Sequence, residues 1–86
     1  MNLQNEVQQK LTYAQYQELD KYLSISSHRL TKIFNDPTII NVEELKKLSE
    51  IMNVSFETLI TDYQAGVKTI TVGEYFQLKE AAIKKR

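Results

Sequence analysis

The sequence predicts an all-α fold: five short helices packed as one unit, followed by a short strand and a further helix. Three observations carry this. Two glycines and one proline in 86 residues are too few for a loop-rich or β-rich chain. Apolar residues recur three and four positions apart through most of the chain, the spacing of one helix face. A capping residue followed three positions later by Gln or Glu, the local signature of a helix start, occurs at Thr12 with Gln15, Asn41 with Glu44 and Thr71 with Glu74.

The elements follow in order. Residues 2–10 read as a short amphipathic helix, with Leu3 and Val7 one turn apart and Leu11 after them. Thr12 starts a second helix on which Tyr16, Leu19 and Leu23 share a face. Ser24-Ile25-Ser26 interrupts that pattern, because serines compete with helical hydrogen bonding and favour turns and caps. Ser26 caps a third helix with Leu30, Ile33 and Phe34 on its apolar side, and Asn35-Asp36-Pro37 stops it. An extended linker leads to Asn41, and Val42, Leu45, Leu48 and Met52 line the fourth helix. Asn53 suits the left-handed position after it. Ser55 caps a fifth helix carrying Phe56, Leu59, Ile60 and Tyr63, which Gly66 is expected to close. Val67 to Val72 is rich in β-branched residues and reads as a short strand. The last helix, from Gly73 to Arg86, carries Tyr75, Phe76, Leu78, Ala82 and Ile83, with Lys84-Lys85-Arg86 at the negative end of its dipole. The expected division is residues 1–66 as the main domain and 67–86 as a C-terminal extension, a candidate dimerisation element.

Charge and composition narrow the function. The formal net charge is zero, which counts against coating nucleic acid by bulk charge. The distribution is uneven. Residues 36–65 hold Lys46 and Lys47 against Asp36, Glu43, Glu44, Glu50, Glu57 and Asp62, so an anionic partner is expected to meet the first or last third. With no cysteine and one histidine, disulfides, zinc–thiolate sites and cysteine nucleophiles drop out, and no metal or cofactor is expected. His28 reads as an exposed polar residue and the five tyrosines as core-edge residues. No glycine-rich phosphate loop or singled-out carboxylate pair argues for an enzyme. No apolar run approaches the roughly 20 residues that cross a bilayer, and the N-terminus lacks the features of a signal peptide, so the expected location is the cytoplasm.

The pattern of Leu19, Leu23, Ile25, Leu30 and Ile33, in and just before the stretch from Tyr22 to Pro37, resembles the helix-turn-helix of the Cro/repressor-like (XRE) family of DNA-binding regulators. Leu23-Ser24-Ile25-Ser26 stands where family members carry a Leu-Gly-Val-Ser-type turn, and Glu44 to Leu59 looks like the family's fourth helix and the start of its fifth. The resemblance covers roughly residues 3–65. It implies a five-helix lambda-repressor-like helix-turn-helix domain, acting as a homodimer on double-stranded DNA with the helix around 27–35 in the major groove. It also implies that Ser26, Ser27, His28, Thr31, Lys32 and Asn35 face the DNA and that Arg29 lies nearer the phosphate backbone. Two positions depart from the family: Asp20 stands where a small residue is usual, and Ser24 where glycine is usual. The rival reading is a protein-interaction module, antitoxin-like or adaptor, that keeps the fold and engages a protein partner through the extension.

Overall fold

The computed structural model describes residues 2–84, with side chains through Glu80. Among the described residues it has seven α-helices, one 3-10 turn and no strand. The helices are α1 (Leu3–Lys10), α2 (Tyr13–Gln17), α3 (Leu19–Leu23), α4 (Ser27–Asn35), α5 (Val42–Met52), α6 (Phe56–Tyr63) and α7 (Val72–Lys84), with the 3-10 turn at Pro37–Ile39 between α4 and α5.

Most boundaries follow from side-chain caps. Asn2, Thr12, Ser26, Asn41 and Ser55 each accept a hydrogen bond from the backbone N–H three residues on, which satisfies a donor left unpaired at a helix start. At Thr12 and Asn41 the box is reciprocal, with Gln15 and Glu44 reaching back to the cap's own N–H. The segment expected as one helix from Thr12 to Leu23 is two. Glu18 (φ −103, ψ 10) breaks the regular geometry between α2 and α3, although the Glu18 N–H still donates back to the carbonyls of Ala14 and Gln15.

The core collects the apolar stripe of every helix. Leu3 and Val7 of α1, Leu19 and Leu23 of α3, Ile33 of α4, Leu45, Leu48 and Met52 of α5 and Phe56 and Leu59 of α6 are almost fully buried. The helix α5 is central and touches α3, α6 and α7. Leu78 brings α7 into the same core, and Tyr75 sets its ring edge-on to Phe56 at 6.1 Å. Phe76, in contrast, points outward.

Three local expectations are corrected. Val67 to Val72 is not a strand: residues 65–69 form a turn and α7 begins at Val72. A strand needs a partner for its ladder, and the described residues provide none. Instead Thr69 and Ile70 donate their N–H groups to the Gly66 carbonyl, and the N–H groups of Gly66 and Lys68 donate to the carbonyls of Pro37 and Thr38 at 2.9 and 3.0 Å. The helix α6 is closed by Gln64 in the left-handed region (φ 55), not by Gly66. Gly66 (φ 74) serves the turn that follows, where a Cβ would collide with the Ile70 side chain and lie 3.2 Å from the Ile40 carbonyl oxygen. The linker after α4 is coiled rather than extended, because the Asp36 side chain accepts from the Thr38 N–H and starts the 3-10 turn. The Thr38 hydroxyl, ahead of the Lys68 ammonium, holds the Asp36 carboxyl below its usual range. The expected side chains of Ala82 and Ile83 and the run Lys84 to Arg86 lie outside the described side chains.

Candidate nucleic-acid interface

The candidate site is α4 and the turn that leads into it. Leu23 and Ile25 pack toward the core on either side of Ser24. Ser24 sits in the left-handed region (φ 59, ψ 43), the conformation for which glycine is the usual residue. Two bonds close the turn: the Ser24 N–H donates to the Lys21 carbonyl at 3.1 Å and the Ile25 N–H to the Asp20 carbonyl at 3.0 Å. This pair, one spanning three residues and one spanning five, is the Schellman ending of a helix. Asp20 is half-buried, and its carboxylate accepts from the Lys21 N–H at 2.8 Å. The bulkier residue thus bonds the backbone of its neighbour.

Ser26 then restarts the helix by accepting from the Arg29 N–H at 3.0 Å. Along α4 the residues separate cleanly by face. Ile33 is fully buried, with Leu30 and Phe34 half-buried beside it. The Phe34 ring stacks on Tyr16 at 6.3 Å, nearly parallel, which ties α4 to α2. The opposite face presents Ser27, His28, Thr31, Lys32 and Asn35, all exposed, with Ser26 at its edge. The structure therefore brings together six of the seven site residues expected from the sequence.

The chemistry of that face is mixed. The Thr31 hydroxyl donates to the Ser27 carbonyl, so its lone pairs remain as an acceptor. The Ser26 oxygen accepts the cap bond, so its hydroxyl proton remains to donate. Lys32 has no carboxylate partner among the described residues. Asn35 offers an amide with both donor and acceptor at the last position of α4. Nearby, Lys21 is paired with Glu18 at 3.1 Å, both exposed, so its charge is partly offset.

Arg29 is the seventh residue, and it turns the other way. Its Nε donates to Glu44 Oε2 at 3.0 Å, and its Nη2 donates to Glu44 Oε1 and to the Ile39 carbonyl, both at 2.9 Å. Glu44 is 4% exposed. Burial pushes its carboxyl up, but the hydrogen bonds from Arg29 and from the Asn41 N–H, with the guanidinium charge, outweigh burial and hold it below the usual carboxylate range. The Glu44 hydrogen bond correspondingly raises Arg29. Sequence reasoning placed Glu44 in its capping box and missed this second role. A glutamate at the start of a helix gives no local sign of a partner 15 residues upstream.

Among the described residues no cluster of histidine, cysteine, aspartate and glutamate could hold a metal ion. Surface grooves lie elsewhere among the described residues. One lies between α5 and α7, lined by Asn41, Glu43, Lys46, Glu74 and Gln77, and another lies beside Asn35, Asp62 and Gln64. Neither joins the exposed row from Ser27 to Lys32 on α4.

A helix-turn-helix family model matches residues 5–59, which runs from α1 into α6 and includes the whole of α4. No curated protein and no solved structure matches the chain. The matched span covers more than half of the chain and holds both the Schellman turn and the exposed helix after it. The chain therefore belongs to the helix-turn-helix family of DNA-binding regulators, with a Cro/repressor-like (XRE) domain.

Proposed function

We propose that the protein is a sequence-specific transcriptional regulator that binds double-stranded DNA with α4 in the major groove. The observation that carries this is the exposed row Ser27, His28, Thr31, Lys32 and Asn35 on one face of a helix whose other face is locked into the core. A major groove admits one helix, and its base edges present distinct donor and acceptor patterns that such a mixed face can read. Lys32 donates to guanine O6 and N7. Asn35 pairs with adenine, and Thr31 accepts from an exocyclic amine. Ser26 and Ser27 donate to bases or phosphates at the helix start, where the dipole favours an anion. The regulator acts in the cytoplasm; among the described residues no helix is long and apolar enough to cross a membrane. One recognition helix with so few contacts is a weak reader, so the working form is a homodimer on two half-sites, with the extension of residues 67–86 as the pairing element.

Fluorescence anisotropy with duplex DNA at low and moderate salt tests the reading, comparing the wild type with Lys32→Ala plus Asn35→Ala. The expected result is binding that weakens steeply with salt and drops by about 1–3 kcal/mol per lost base contact in the double variant. Absence of binding at low salt overturns the reading. It would turn attention to the second one, a protein-interaction module of antitoxin or adaptor type. The observation favouring that alternative is the exposed apolar pair Val72 and Phe76, one turn apart on α7 and 72% and 58% exposed.

A further inference from the structure

We infer that Arg29 is a positioning residue for α4, a clamp that fixes the recognition helix against the start of α5 through Glu44, and not a phosphate contact. This rests on the DNA-binding reading of α4.

The geometry is that of a fork closing on a fork. Both oxygens of the Glu44 carboxylate take an N–H from one guanidinium, and the same Nη2 also reaches the Ile39 carbonyl. Glu44 Oε1 additionally accepts the Asn41 N–H at 2.9 Å, so the carboxylate that receives Arg29 is itself fixed by the capping box of α5. One side chain on α4 thereby grips the end of the 3-10 turn and the first turn of α5. A bidentate pair constrains direction as well as distance, which apolar contact through Ile33 alone does not. For Arg29 to reach a phosphate it would have to leave a side chain that is 5% exposed, stranding a buried carboxylate without its counter-charge. The free cation that α4 offers to DNA is then Lys32.

The test is duplex-DNA anisotropy over a salt series with the full chain, using Arg29→Lys, Glu44→Gln and Lys32→Ala. Lysine keeps the charge but not the fork, and glutamine keeps the shape but not the charge. Arg29→Lys and Glu44→Gln are each expected to weaken binding by roughly tenfold, the scale of coupling between contacting residues, with the salt slope of the wild type. Lys32→Ala is expected to lower the slope by about one. A phosphate-contacting Arg29 gives the opposite pattern: Glu44→Gln releases it and binds as tightly as wild type or more so, and Arg29→Lys keeps wild-type affinity. Either outcome overturns the inference. If the wild type binds no duplex, the DNA reading itself falls. The clamp is then decided by unfolding the single and double variants in denaturant, where additive effects overturn it and coupled effects sustain it.

Discussion

The turn between α3 and α4 and the turn between α5 and α6 have the same construction. Leu23-Ser24-Ile25-Ser26 and Met52-Asn53-Val54-Ser55 each run as an apolar residue, a left-handed residue, a β-branched residue and a serine cap. Ser24 and Asn53 have nearly the same dihedrals, φ 59 and ψ 43 against φ 55 and ψ 41. Ile25 and Val54 each donate back five residues, to Asp20 and Ser49, and Ser26 and Ser55 cap at 3.0 and 3.1 Å. The left-handed residue differs: asparagine tolerates this region, and serine does so at more cost. What fixes the turn is therefore the pair of apolar anchors and the cap, which occur at both sites.

The helices after the two turns are held differently. Phe56, Leu59 and Tyr63 of α6 are buried, whereas in α4 only Ile33 is. A helix that must show one face to a partner has fewer positions to bury. The Arg29–Glu44 pair makes up part of the difference for α4. The ion pair near the start of α6, Lys79 with Glu57 at 4.0 Å, is half-exposed and adds little.

The largest effects test the apolar anchors. Leu59→Ala and Ile33→Ala should each cost about 2–5 kcal/mol in denaturant unfolding, with Ile33 as expensive as any α6 residue because α4 has no second buried anchor. A cheap Ile33→Ala would break the comparison. Next comes pH. The folded Glu44 carboxyl lies below its unfolded value, so its contribution is complete above the ordinary glutamate range, about 4.3, and is lost as pH falls through the folded value. Hydrogen exchange in acid should therefore open α4 before α6, and Glu44→Gln, which mimics the protonated carboxyl, should give that order at neutral pH as well and remove its pH dependence. The caps are smaller. Ser26→Ala and Ser55→Ala should each cost about 1 kcal/mol, with only the first weakening DNA binding. Smallest is the left-handed position itself. Ser24→Gly should stabilise by about 0.5 kcal/mol, the relief of strain offset by added freedom in the unfolded chain, while Asn53→Gly should be near neutral by thermal melting.

Local signals made most of this legible before the structure. The caps at Thr12, Ser26, Asn41 and Ser55 work over three residues, so the sequence displays them whole, and the exposed face of α4 follows from helical period once Ser26 and Pro37 bound it. Two of the misreadings, at Val67 to Val72 and at Arg29, share a cause, the dependence of a short segment on distant chain, whereas the coiled linker follows from the local bond between Asp36 and Thr38. Val67 to Val72 has strand-like residues but, among the described residues, no strand to pair with, and the Lys68 amide turns instead to Thr38, as that of Gly66 before it turns to Pro37. Gln64 closes α6 although glutamine is not a residue that favours the left-handed region. The resemblance set Arg29 near the phosphate backbone, and nothing local shows that its partner belongs to another helix.

The bonds from the Gly66 and Lys68 amides to the Pro37 and Thr38 carbonyls carry a consequence for how the protein can be re-engineered. The two carbonyls come directly after the last turn of α4, and their donors belong to the segment that launches α7. A chimera that grafts a foreign tail after Gln64 keeps both bonds only if that tail makes the turn that Gly66 makes; otherwise the chain loosens just beyond the exposed helix. Tail and α4 are exchangeable together, and an insertion in the connection between α6 and α7 is felt at the far end of α4.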